Sequence, residues 1–398
     1  MFRHVSKVNV SLWGQRVGTL VAVPGRFGYA FRYDRKFISS GIEIAPLMMP
    51  LGPEVYHFPD LPAQDYGGLP PVFADSLPDS FGSALIDGWL VAHGLRKDEI
   101  TPLDRLAFIG RRGMGALSYE PEHGPKSAET TLDLRKLVEE ARDVVNGALL
   151  EMSADDALLT ILRLGSSAGG AQAKAIVGWN RSTGRFVYGD RDIPEGFEHW
   201  IVKFTPEAYP WRGQCEYDLY RKACAAGVEM EPCELFELDG LKHFMTKRFD
   251  RTSDGRRRHV LTLSAIAHFP AATPPEFRSY DQLFATADAL GVPYGEMEQL
   301  FIRMAFNVVF GECDDHVKNF SFMLDEGGRW HIAPAYDLTG SDFPSADPWS
   351  AHGGVHQLAV NGKRSGIEEA DLLAVADRFA IGTAPKALER VIAARREN

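Results

Sequence analysis

Gly311-Glu312-Cys313-Asp314-Asp315-His316-Val317-Lys318-Asn319 follows an apolar helical run, Leu300 to Phe310, and precedes a hairpin pattern. That pattern is Phe320 to Leu324, an Asp325-Glu326-Gly327-Gly328 turn, then Trp330 to Ala333. Tyr336-Asp337-Leu338 comes next. The order is helix, polar loop with Asp-x-x-x-x-Asn, hairpin, second Asp. Phosphoryl transfer accounts for this order. One carboxylate orients or deprotonates the acceptor hydroxyl, while an Asn and a second Asp hold Mg²⁺ against the phosphates. Asp314 takes the first role, and Asn319 and Asp337 the second. The spacing alone is common, because Asp and Asn often cap helices and bond their own backbone in polar turns. The hairpin and Asp337 raise it above that reading. A zinc site at Cys313, Asp314 and His316 is the weaker alternative, since adjacent loop residues rarely share one ion.

Phosphoryl transfer of the kinase type makes demands upstream: a strand Lys, a Glu on the next helix, and a loop over the phosphates. Lys203 lies in the apolar strand His199 to Phe204. Alternation places it with Ile201, on the face opposite Val202 and Phe204. A strand Lys is ordinarily just solvent-facing. Glu216 opens the next helix, where the helix dipole alone would favour it. The loop candidate is Gly165-Ser166-Ser167-Ala168-Gly169-Gly170-Ala171-Gln172-Ala173-Lys174. Small residues let backbone N–H groups approach phosphate oxygens. It is neither a Walker A loop nor Gly-x-Gly-x-x-Gly, and its composition also describes a flexible linker.

These motifs, with Lys247-Arg248-Phe249-Asp250-Arg251 and Ala335-Tyr336-Asp337-Leu338, together resemble the HipA family. Its members are serine/threonine kinases that act as toxins in bacterial toxin–antitoxin pairs. The resemblance runs in order from about residue 5 to the C-terminus. It implies ATP and Mg²⁺ as cofactors, with Asp314 as base and Asn319 and Asp337 on the metal. It puts Lys203 on the ATP phosphates beside the loop residues Ser167, Ala168, Gly169 and Gly170. Lys247 to Phe249 become the hinge that meets adenine, partly through backbone groups, with Phe249 and Asp250 anchoring it. Lys174 and Lys318 are further local cations. Ser167, or the adjacent Ser166, falls on the family's autophosphorylated serine; phosphate there adds about −1.5 to −2 charge and should expel the loop. Two positions depart from the family pattern: Ala173 stands where Glu often precedes the loop Lys, and Asp315 where some members have Gly. The implied partners are a HipB-like helix-turn-helix antitoxin, through which alone the chain would reach DNA, and a protein substrate. For some members that substrate is an aminoacyl-tRNA synthetase.

Composition bounds the rest. With Lys+Arg 43 against Asp+Glu 54 in 398 residues, the net charge of −11 suits no chain that wraps nucleic acid by itself. Arg256-Arg257-Arg258 is the one basic run weighed for DNA, and a solvated hairpin turn is its expected role. Hydrophobic residues at 45% and charged residues at 24% describe an ordinary globular protein. Four cysteines without a C-x-x-C pair argue against a zinc site or disulfide scaffold and for a reducing cytoplasm. Neither a signal peptide nor a membrane span is expected.

The expected fold is α/β (α+β) and bilobal, like a protein kinase, with ATP between the lobes. A β-rich subdomain spans 1–120, a nucleotide-binding N-lobe 130–250 and a helical catalytic C-lobe 251–398. Strands are expected at Lys7–Leu12, Val17–Val23, Phe27–Tyr33 and Phe37–Ile38, and loop at Gly67-Gly68-Leu69-Pro70-Pro71 within a proline- and glycine-rich stretch from Pro46 to Pro78. Helices are expected at Phe81–His93, Leu103–Phe108, Leu132–Leu150, Ala154–Arg163 and Glu216–Ala226. Two rival functions remain: a small-molecule phosphotransferase of the same fold, and a catalytically silent antitoxin-binding co-repressor. The N-terminal domain and Ser-rich loop oppose the first. Retention of Lys203, Asp314, Asn319 and Asp337 opposes the second.

Overall fold

The computed structural model describes residues 3–78, 80–124, 131–138, 173–189, 192–270, 273–274, 277–340 and 355–396. The expected helix 154–163 lies outside them. The chain divides into two compact units. One gathers residues 1–44, 49–213 and 234–259; the other gathers 45–48, 214–233 and 260–398.

The first unit holds two antiparallel sheets. One comprises β1 (Lys7–Leu12), β2 (Gln15–Ala22), β3 (Tyr29–Tyr33), β4 (Val55–His57) and β5 (Leu117–Glu120), in the order β4-β3-β2-β1-β5. Val8, Val10 and Leu12 point to its buried face, so a slip of one residue would turn all three to water. The β1–β2 link is Trp13-Gly14, both at positive φ, the backbone that suits a two-residue hairpin. Phe37 and Ile38 are not strand. Asp34 accepts the backbone N–H of Lys36 at 2.9 Å and starts a one-turn helix, α1 (Arg35–Ile38), which carries Phe37 into the core. Local capping outweighs β propensity there. The proline-rich stretch carries short helices on either side of its Gly67–Pro70 loop. Beside β4 it forms α2 (Ala63–Tyr66) and α3 (Pro71–Ala74), with Pro71 at the first helical position. Then come α4 (Ser80–Ala92) and α5 (Pro102–Ile109), the latter started by a Thr101–Asp104 capping box.

The second sheet orders β6 (Thr131–Leu132), β7 (Lys174–Asn180), β8 (Arg185–Tyr188), β9 (Glu198–Lys203), β10 (Cys233–Leu238) and β11 (Leu241–Lys247) as β10-β11-β9-β7-β8-β6. Leu132, expected to open a helix, instead closes β6 opposite Phe186, and helix begins at residue 134. Ala175, Val177, Trp200, Val202, Phe204 and Met245 form the core on one face.

The second unit takes α6 (Arg212–Ala226) from Gln214 onward, so this helix starts one turn before the expected Glu216. It continues with β12 (His259–Thr262), α7 (Leu263–Ile266), α8 (Tyr280–Ala289), α9 (Tyr294–Phe310), β13 (Ser321–Leu324), β14 (Trp330–Ile332), α10 (Glu369–Arg378) and α11 (Ala384–Arg396). β12, β13 and β14 form a small sheet. α9 is the central helix, burying Phe301, Met304, Ala305 and Phe306. It stops at Gly311, whose φ of 70° costs little only without a Cβ. The polar loop therefore begins at that residue.

Candidate active site

The loop after α9 brings the expected base and one expected metal ligand together. Asn319 donates from Nδ2 to the Asp314 carbonyl at 2.7 Å. The Asp314 side chain is 54% exposed, with His316 Nε2 3.9 Å from one carboxylate oxygen. Partial burial holds the Asp314 carboxyl above its ordinary range; His316 opposes this, and Asp337 and Asp315 reinforce it. A raised value makes a carboxylate a better proton acceptor. Asp337 follows β14 at a φ of 56°, a left-handed conformation that Asp tolerates better than most residues. Tyr336 donates to the Lys318 carbonyl at 2.7 Å and stands 2.6 Å from the Ser321 hydroxyl, so the two arms of the site are laced together.

Two buried carboxylates flank Asp314. Glu312 accepts the Asp314 N–H at 3.0 Å on one oxygen, and the N–H groups of Thr339 and Gly340 at 2.8 and 2.7 Å on the other. Burial pushes its pKa up, while those backbone donors pull it down. Asp315 accepts from Tyr280 Oη at 2.8 Å, His356 Nδ1 at 2.8 Å and the Gln357 N–H at 2.6 Å. Asn307 in turn donates to Tyr280 Oη at 2.9 Å. Burial alone would lower the His356 pKa, yet its bonds to Asp315 and Cys313 raise it to about 10. Asp315 is thus an anchor of the loop, a role the sequence comparison with Gly-bearing members did not suggest. Glu312 and His356 were missed as well. The run of three acidic positions 312, 314 and 315 was the available sign; nothing near residue 356 pointed to the site.

Among the described residues, no group of three His, Cys, Asp or Glu side chains could hold a metal ion by itself. The zinc alternative at Cys313, Asp314 and His316 therefore has no support. Hard oxygen donors from Asn319 and Asp337 fit Mg²⁺, which commonly binds through one or two protein groups plus substrate phosphates.

In the first unit, Lys203 and Lys174 are directly opposite each other on β9 and β7, and Phe244 on β11 is opposite Lys203. Residues paired in this way share a face. Lys203 Nζ lies 5.6 Å from the Phe244 ring centroid. Both lysines are buried, at 7% and 4% exposure, on the face away from Trp200, Val202 and Phe204. Glu216 is buried on α6 in the second unit. Ser166, Ser167, Ala168, Gly169 and Gly170 lie outside the described residues.

Lys247 ends β11 with its ammonium on the Glu198 carboxylate. Beyond it Phe249 is buried and Arg248 N donates to the His199 carbonyl at 2.9 Å. Asp250 is fully enclosed. It accepts from Arg248 at 2.8 and 2.7 Å, from Arg251 at 2.6 Å and from the Gly115 N–H at 2.8 Å. Burial would raise its pKa, but Arg248 and Arg251 drive it well below the ordinary range. The basic run is not a solvated turn, contrary to expectation. Arg257 donates to the carbonyls of Gly115, Gly113 and Leu117 at 2.9, 3.0 and 3.3 Å, and Arg258 to that of Phe249 at 2.8 Å. Only Arg256 is exposed, paired with Asp254. Chain reversal between Thr252 and Arg256 turns the two later arginines inward onto carbonyls that need donors.

Comparison with known proteins agrees with this architecture. Residues 166–398 match the family model of the HipA-like C-terminal domain, and residues 8–120 that of the HipA N-terminal domain. A candidate kinase of Sinorhizobium fredii strain NGR234, Y4mE, is 28% identical over 159 residues, 37% of this chain and 37% of that protein. A candidate kinase of Haemophilus influenzae strain Rd is 24% identical over 156 residues, 35% of this chain and 44% of that protein. The chain thus spans less than half the length of these relatives. A chain of the Shewanella oneidensis complex of the toxin–antitoxin proteins HipA and HipB with operator DNA superposes with a TM-score of 0.65 at 18% identity. That match covers 97% of this chain and 91% of the other, and establishes a shared mixed α/β fold. Among the described residues no helix is long and apolar enough to cross a membrane.

Proposed function

The chain belongs to the HipA family, and from that premise we propose that it is an ATP- and Mg²⁺-dependent serine/threonine protein kinase, the toxin of a toxin–antitoxin pair. The observation that carries this reading is the Asn319–Asp314 bond at 2.7 Å, in a loop that Glu312 ties to the segment after Asp337. Base and metal-binding groups stand on one frame, as phosphoryl transfer needs, because its catalysis is mostly positioning and electrostatics. Asp314 accepts the proton of the attacking hydroxyl. Asn319 and Asp337 hold Mg²⁺, which neutralises charge on the transferring phosphoryl group when bound. Lys203, with Lys174 opposite it on the neighbouring strand, meets the ATP phosphates. Lys318 adds a local cation at the site, and the backbone of Lys247 to Phe249 meets adenine. The loop Ser167, Ala168, Gly169, Gly170 covers the phosphates, and phosphate on Ser167 or Ser166 silences the enzyme.

The substrate is a cellular protein, with an aminoacyl-tRNA synthetase as the first to test. The solved Shewanella assembly of HipA, HipB and operator DNA supports a helix-turn-helix antitoxin as partner, with DNA reached through it. Purified chain incubated with labelled ATP and cell lysate should label itself and a protein band, while Asp314→Ala labels neither and keeps its fold. Label appearing only in small metabolites would favour the phosphotransferase alternative. An Asp314→Ala chain as active as the parent would refute the proposal.

A further inference from the structure

We propose that Glu312 is a positioning residue that keeps the Asp314 loop and the Asp337 segment in one register, and so sets Mg²⁺ affinity; this rests on the kinase reading above. Glu312 is 2% exposed. Its two oxygens serve different segments: one takes the N–H of Asp314, the other the N–H groups of Thr339 and Gly340. Three donors converge on it from positions 27 and 28 residues apart in sequence from Glu312 on one side, and 2 residues away on the other. Only a carboxylate accepts on both sides at once. A glutamine offers one oxygen and one NH₂ group. Whichever way it turns, its NH₂ faces a backbone N–H, and either the Asp314 arm or the Thr339–Gly340 arm comes free. Aspartate, one methylene shorter, does not reach both arms.

Partners that orient metal ligands without touching the metal typically change metal affinity or activity 10- to 100-fold when altered. Glu312→Gln is therefore expected to raise the Mg²⁺ concentration for half-maximal binding of a non-hydrolysable ATP analogue by about tenfold or more. It should lower kcat and leave KM for the protein acceptor unchanged. Metal-free nucleotide binding, which depends on Lys203, should also stay unchanged. Glu296→Gln is the control for a merely structural carboxylate. Glu296 holds His331 Nδ1 and the Ile332 N–H, both at 2.7 Å, on β14 of the hairpin between Asn319 and Asp337. That variant should lose stability with Mg²⁺ dependence intact. The measurement is calorimetric titration of the analogue at stepped Mg²⁺. Glu312→Gln binding within twofold of the parent would overturn the inference. If this variant does not fold, hydrogen exchange on the parent chain decides. The amides of Asp314, Thr339 and Gly340 should open together and gain protection together with Mg²⁺ and nucleotide, and independent exchange would refute the bridge. A parent chain that bound no Mg²⁺-nucleotide would refute the kinase reading instead, leaving the bridge to the exchange result.

Discussion

Asp250→Ala is a severe test of how the segment after β11 is held. The Asp250 carboxylate lies between two buried guanidiniums, Arg248 and Arg251, and it also accepts the Gly115 N–H. Removing it strips four hydrogen bonds and leaves buried cations uncompensated. Burial has already lowered the Arg251 pKa to about 9, with Arg248 adding to the fall and Asp250 opposing it. Breaking a buried pair from one side costs about 3–5 kcal/mol. In a unit of somewhat over 200 residues that is a fall in Tm of about 6–20 °C. The pH dependence follows from the same geometry. Asp250 is depressed in the folded state, so its contribution is complete above the unfolded carboxylate value of about 3.9 and is lost as pH falls through the folded one. The stability gap between parent and variant should therefore be flat from pH 7 to about pH 5 and narrow below about pH 4. Urea unfolding at stepped pH reads both quantities. A loss under about 1 kcal/mol at pH 7, or a gap that widens in acid, would refute the account of this cluster.

Two further outcomes come from the same chain. Arg257→Ala should destabilise by about 1–3 kcal/mol, because the carbonyls of Gly113, Gly115 and Leu117 each lose a guanidinium donor and only the first two keep Arg251. Arg256→Ala should stay within about 0.5 kcal/mol; thermal unfolding compares them, and equal effects would contradict the inward placement of Arg257. His356→Gln should cost about 3 kcal/mol near pH 6. Its folded pKa is raised to about 10, so the contribution is fully present below about 6.5 and fades as pH rises toward 10. A gap that instead grew with pH would show that His356 is not held protonated by Asp315.

Short-range features were legible in the sequence because their causes are short-range. The β1–β2 hairpin needs only alternation and a glycine at the turn, although the turn falls on Trp13-Gly14 and not on the expected Gly14-Gln15. The end of α9 needs only Gly311. Where a neighbouring cap competed with propensity, reading by propensity failed, as at Phe37 behind Asp34. Leu132 shows the same limit from another cause. Its helical spacing was real, yet pairing with Phe186 on β8 claims it for a strand.

The sequence by itself determined the order of the chemistry: Lys203, then Asp314 with Asn319, then Asp337 beyond a hairpin, within a family pattern that spans nearly the whole chain. Tertiary structure alone decided what holds that chemistry in place. Glu312, Asp315 and His356 gain their meaning from partners tens of residues away, and Arg257 changes from a surface charge to a half-buried staple on the 113–117 carbonyls only when the chain folds over it. A residue type states which bonds a side chain can make. Burial and the partners brought to it by folding decide which of them it makes, and burial cannot be summed along the chain.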